Sequence, residues 1–214
     1  MEATAAIEVD TPAGVLAAAR AETAAAHRAE ARKLELAVAW AAMHPTDSLD
    51  AAATLLTSYG DTGVPVAGEG APLVTEFSIA EFAAAVGLPT EHGRTFLGEA
   101  LELRYRLPRI WRRVIGAELP AWRARRIARA TLMLSRAAVA YVDRHVGPVA
   151  HKIGPVQTER LIDEAIARHM PETAEATRRQ AADGRHVEVD HHQVSFAGSR
   201  RGVSSRTPAI SGEG

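Results

Sequence analysis

Apolar positions recur at helical spacing through most of this chain. From Pro12 to Met43 only Gly14 interrupts a run dominated by Ala, Glu, Arg and Leu. Asp10-Thr11-Pro12 supplies a capping oxygen followed by a ring suited to the first turn. The pattern predicts one long helix over 12–43. Its first half is apolar almost only through Ala. Its second half carries Leu34, Val38 and Ala41 in helical spacing, with Trp40 nearby, and is the half expected to pack. His44-Pro45 ends the run. In 46–59, Leu49, Leu55 and Leu56 could belong to a short helix or to a connector. Residues 60–73 are broken by Gly60, Gly63, Pro65, Gly68, Gly70 and Pro72 and read as a loop.

From 74 to 184 the pattern is a train of short helices with legible punctuation. Ser78 is expected to cap a helix over Ile79–Val86, ended by Gly87. Thr90 is expected to cap a helix from Glu91 to about Arg106, whose Phe96, Ala100, Leu103 and Leu107 form an inward stripe at +4, +3 and +4. Pro108 stops it and opens a helix to Glu118, and Pro120 opens another to Leu134. Ser135 starts a helix with Val139, Val142, Val146 and Val149 in heptad-like rhythm, and Pro148 predicts a break near His145–Gly147. Gly154-Pro155 begins a helix with Leu161, Ile162, Ala165 and Ile166 facing inward. Pro171 begins the last, ending near Asp183-Gly184.

The character then changes. Residues 185–196 alternate as a strand, with a bulge or turn at His191-His192 and no evident ladder partner elsewhere. Residues 197–214 lack periodicity and read as a disordered tail.

Composition strengthens the helical expectation. Apolar residues make up 47% of the 214, yet Phe, Trp and Tyr only 5%, so alanine carries much of the apolar content. Small side chains favour close helix packing, and alanine has the best helix propensity. The fold class expected is all-α: a long N-terminal helix plus a multi-helix bundle, with a short unpartnered C-terminal strand. With 25 basic and 26 acidic residues, no global field announces a polyanion or a membrane. The absence of cysteine excludes disulfides, thiolate nucleophiles and Cys-ligated metal sites. The acidic N-terminus is unlike a signal peptide, and no apolar run reaches the roughly 18 residues of a membrane span, so a cytoplasmic location is expected.

Three constellations bear on chemistry. Ser78 to Arg106 resembles a helix-turn-helix, with His92 and Arg94 exposed on the second helix, although an ordinary helix pair fits the same residues. A basic block runs from Arg94 to Arg129, with ten arginines against four glutamates from Glu91 onward. Arginine suits bidentate phosphate contact. Trp122 shares a helix face with Arg125, Arg126 and Arg129 by i+3, i+4 and i+7 spacing, an arrangement able to follow a nucleic-acid strand. The plainer reading has the arginines covering a part-buried Trp122 with their heads in water. Arg94, Arg112, Arg113, Trp122, Arg125, Arg126 and Arg129 are the candidate nucleic-acid-binding residues, non-specific DNA the candidate partner. Third, His186, Glu188, Asp190, His191 and His192 suggest metal, but adjacent strand residues face opposite ways, so no metal site is assigned. No phosphate loop, dinucleotide turn, G-x-S-x-G elbow or H-E-x-x-H motif is present, and no cofactor or catalytic residue is expected. The long helix offers a second partner, another copy of the chain.

The stretches from Phe82 to Leu88, from Gly98 to Pro108, from Gly116 to Ala128, from Leu161 to Arg168 and from Arg185 to Asp190 together carry a resemblance. They resemble the domain of unknown function that precedes the HNH endonuclease domain in many actinobacterial proteins. The likeness spans about 12–196 and is most specific over Pro120–Ile127. It implies a helical accessory domain of a nucleic-acid enzyme, without a nuclease centre of its own. Family members continue into an HNH module; here Ser199-Arg200-Arg201 and the tail follow instead, so a truncated gene is the expectation.

Overall fold

In the computed structural model, residues 11–45 and 63–183 are described. Among them the architecture is all-α, with one two-stranded ribbon. The first helix, α1 (Pro12–Met43), starts as its sequence dictates. Thr11 is extended, and its Oγ1 accepts the Gly14 N–H at 3.0 Å, with Pro12 in the first turn. Only the second half enters the core, through Ala31, Leu34, Ala37 and Ala41, while Val15 and Leu16 are half exposed. Trp40 ties this half down by donating its indole N–H to the Ser78 carbonyl at 2.9 Å.

A correction falls on 60–73. Gly63–Val64 (β1) pairs antiparallel with Val74–Thr75 (β2), Val64 opposite Val74, and Pro45 bridges to Val74 as well. The glycine-rich loop is therefore the turn of a small ribbon that seats the end of α1. The strand expected at 185–196 and the connector at 46–59 lie outside the described residues.

Next come α2 (Glu76–Ala85) and α3 (Thr90–Leu101). Neither start follows the sequence expectation. Thr75 occupies the cap position of α2, while Ser78 is buried one turn in and returns its hydroxyl to the Thr75 carbonyl at 2.8 Å. Thr90 is the first residue of α3, behind Pro89, with no side-chain cap. The stop at Gly87 holds. Leu88 N–H reaches the Ala83 carbonyl and Gly87 N–H that of Ala84, a Schellman closure requiring the positive φ of 70° that Gly87 adopts. The two helices then meet at Gly93, where a Cβ would stand 2.3 Å from that of Ala83.

The helix expected to run to Arg106 changes pitch. Glu102–Arg106 forms a single π-turn, which rotates the following residues so that Leu103 and Leu107 stay buried with Phe96 and Ala100. Beyond it lie α4 (Pro108–Ile115), α5 (Ala121–Thr131), α6 (Arg136–Val146), α7 (Pro155–His169) and α8 (Pro171–Asp183). α4 and α5 are shorter than expected. α6 is capped by Ser135 and ends at the anticipated break. The core is continuous, centred on Leu34, Ile79, Leu97, Leu101, Leu103, Leu107, Ile110 and Leu119. No helix among the described residues is long and apolar enough to cross a membrane.

Candidate nucleic-acid interface

Two carboxylates on α3 and the π-turn decide what the arginines can do. Glu99 is fully buried and takes Arg125 Nε on one oxygen at 2.6 Å and Arg129 Nε on the other at 2.7 Å. Arg125 also lies over the Phe96 ring, 4.4 Å from its centroid. Glu102, also fully buried, receives Arg106 Nη1 at 2.8 and 2.9 Å, the Thr131 hydroxyl at 2.9 Å and the Gly68 N–H at 3.1 Å. Arg106 Nη2 goes on to the Leu134 carbonyl, just past the end of α5. These arginines hold helices together. Within the basic block, Arg106 is buried, and two of the candidate nucleic-acid-binding residues, Arg125 and Arg129, are engaged by Glu99.

The other candidates divide. Arg126 pairs with Glu159 at 3.2 Å on the surface. Arg113 pairs with Glu118 at 3.1 Å and reaches His151. Arg94 lies 3.6 Å from Glu76 and 3.9 Å from Glu91, so the first turns of α3 present balanced charge. Trp122 is 62% exposed, more open than a covered side chain would be. It lines a groove with Arg123, Arg126, Ile127 and Ile162, whereas Arg125 and Arg129 turn to Glu99. Arg112 is exposed with no carboxylate in ion-pair range among the described residues.

Arg112 has company that was not among the candidate binding residues. Arg109 on α4 and Arg136 and Arg144 on α6 are exposed and likewise have no carboxylate within ion-pair range among the described residues. Arg109 borders two adjoining clefts. One, about 420 Å³, is shared with Arg112, Arg113 and Glu118; the other, about 300 Å³, with Arg136 and Arg144. The signal was present in the spacing: 136, 140 and 144 fall on one helix face, and 109, 112 and 113 on another.

α4 and α6 are locked together beneath this face. The Asp143 carboxylate accepts the Arg109 N–H at 3.0 and 3.1 Å and the Ile110 N–H at 3.1 Å, capping α4 from another helix. Burial raises the Asp143 carboxyl above its ordinary value, against the downward pull of these N–H groups and of the Arg109 and Arg112 charges. Among the described residues no group of three or more His, Asp or Glu is arranged to hold a metal ion; His186, Glu188, Asp190, His191 and His192 lie outside them.

The fold and this face define a helical bundle with an arginine-rich surface. No protein family, curated protein or solved structure matches the chain.

Proposed function

We propose that the chain is a non-catalytic helical accessory domain, of the kind associated with HNH-endonuclease-type proteins, that positions DNA through phosphate contacts. The observation that supports this reading is the set of arginines at 109, 112, 136 and 144, which form no close ion pair among the described residues and surround adjoining clefts. Exposed guanidiniums of this kind neutralise phosphates whatever the base sequence. The interface therefore sits on α4 and α6, with Arg113 at its edge. Arg125 and Arg129 serve chiefly to hold α5 to α3. The helix-turn-helix alternative draws less support, because the second half of α3 is enclosed and Arg94 faces two glutamates.

The test is fluorescence anisotropy of duplex DNA at two salt concentrations. Binding should be insensitive to sequence and should weaken steeply with salt. Arg109→Gln with Arg112→Gln should reduce the log–log salt slope by about one for each phosphate that is no longer neutralised. Absence of binding at low salt would overturn the reading, and one strongly preferred sequence would favour the helix-turn-helix.

A second reading, self-association through α1, draws on the exposed Val15 and Leu16 in its unpacked half. Light scattering tests it: a dimer that disappears on Val15→Ser with Leu16→Ser would support it.

A further inference from the structure

The smaller of the two clefts has a composition that a smooth polyanion track does not need. Its walls carry Arg109 from α4 and Arg136 and Arg144 from α6, and Tyr105 of the π-turn stands beside them, 46% exposed. Two carboxylates also border it. Asp143 directs its oxygens to the backbone N–H groups of α4, within the electrostatic reach of Arg109 and Arg112. Glu69 is exposed, with no cation within ion-pair range among the described residues. Arg106 lines the base but is neutralised by Glu102.

The three guanidiniums outnumber the two carboxylates around this concavity, so it keeps a net positive charge that favours an anion. Guanidinium forks from two helices suit a phosphate, which accepts bidentate hydrogen bonds. At about 300 Å³ the cleft is at the small end of the roughly 300–1,000 Å³ range of small-ligand sites, room for a phosphate with part of a nucleotide. A duplex is too broad to enter it. An exposed tyrosine beside a phosphate site suits an unpaired base, which can stack on its ring. The Arg104 guanidinium lies over that ring, 5.7 Å from its centroid, and adds positive charge beside it.

We propose that this cleft is a subsite for the terminal phosphate of a nucleic-acid strand, with Arg109, Arg136 and Arg144 holding the phosphate and Tyr105 stacking on the end base. The inference rests on the nucleic-acid reading above and adds the part of the ligand recognised. The more open cleft at Arg112 and Arg113 would follow the backbone beyond the end.

The experiment compares one short oligothymidylate in three forms: phosphorylated at its 5′ end, phosphorylated at its 3′ end, and with both ends hydroxyl. One phosphorylated form should bind about tenfold more tightly than the unphosphorylated strand. Arg136→Gln and Arg144→Gln should each weaken the phosphorylated strand by a larger factor than the unphosphorylated one, so that most of the preference is lost. Both side chains are exposed and without internal carboxylate partners among the described residues, so thermal melts of the variants should match the parent. Glu69→Gln should strengthen the preference. Thymidine monophosphate should displace the phosphorylated strand at lower concentration than inorganic phosphate, and Tyr105→Ala should erase that difference. Equal binding of all three strands, with no preference for either phosphorylated end, would overturn the subsite and leave the general DNA reading standing. If no strand or duplex binds, the DNA reading and the strand-end subsite fall together, even where thymidine monophosphate alone binds by calorimetry.

Discussion

Replacing Glu102 by Gln would leave the Arg106 guanidinium, whose side chain is only 3% exposed, with no countercharge. One amide oxygen would remain for four donor contacts now shared between two carboxylate oxygens. The new NH2 group would confront donors. Breaking a buried pair from one side costs about 3–5 kcal/mol, because the surviving charge stays desolvated. For a chain of this size each kcal/mol moves the midpoint by about 2–4 °C, so the melting temperature should fall by roughly 6–20 °C. Removing both charges is a different perturbation. Glu102→Leu with Arg106→Met leaves no stranded ion. It orphans the Gly68 N–H and withdraws the donor from the Leu134 carbonyl. Thr131 keeps the Ala128 carbonyl as partner for its hydroxyl. The double variant should therefore lose only about 1–2 kcal/mol. Urea denaturation followed by far-ultraviolet circular dichroism, run as a double-mutant cycle with Glu102→Leu and Arg106→Met as its single variants, measures the coupling. A single-variant cost below about 1 kcal/mol, or a double-variant cost equal to the sum of the singles, would refute the assignment of this pair as a desolvated unit.

Three further outcomes follow from other sites. Glu99→Gln should cost about 1–3 kcal/mol, less than its neighbour because Arg129 is mostly exposed and Arg125 partly so, and both can turn to water. Freed of the carboxylate, the two arginines should tighten duplex binding severalfold in low-salt anisotropy. Ala117 closes the end of α4 at φ 56°, a conformation costing about 1 kcal/mol for a residue with a Cβ; Ala117→Gly should raise stability by about 0.5–1 kcal/mol in thermal melts. The raised Asp143 carboxyl means that the folded chain binds more protons than the unfolded one between the ordinary carboxylate value and its own. Stability should accordingly decline as pH rises through that window, and Asp143→Asn, which keeps a capping oxygen, should flatten the decline in urea midpoints measured across pH.

The helix starts were legible wherever the signal is backbone chemistry. Pro12, Pro108, Pro155 and Pro171 each open a helix, because a ring at the first turn removes a donor that has no acceptor anyway. Gly87 was legible for the same kind of reason. Ser78 and Thr90 misled because a hydroxyl can serve a cap or a carbonyl one turn back, and local sequence does not distinguish the two. The inward stripe through Phe96, Ala100, Leu103 and Leu107 was readable, but its continuity depends on the π-turn, which no spacing announced. The candidate interface was the least legible part. Glu99 and Glu102 lie among buried apolar neighbours, where a glutamate is ordinarily assigned to the surface. Apart from Arg106 and Gly68 on Glu102, their partners arrive from α5, 26 to 30 residues further on. Counting arginines in a window therefore located a basic region and misjudged which members remain available. Arg136 and Arg144 fell outside that window although their helical spacing put them on one face.

The half-embedded α1 has a consequence for how the molecule unravels. Fixing the first helical turn is the costly step in building any helix, and each later residue adds cheaply. The bundle supplies that nucleus between Ala31 and Ala41. The Ala-rich stretch upstream, roughly 28 Å at 1.5 Å per residue, needs only to propagate from it. Heating should therefore melt this arm from its tip inward, well before the embedded turns let go, and backbone amide exchange should record the gradient residue by residue.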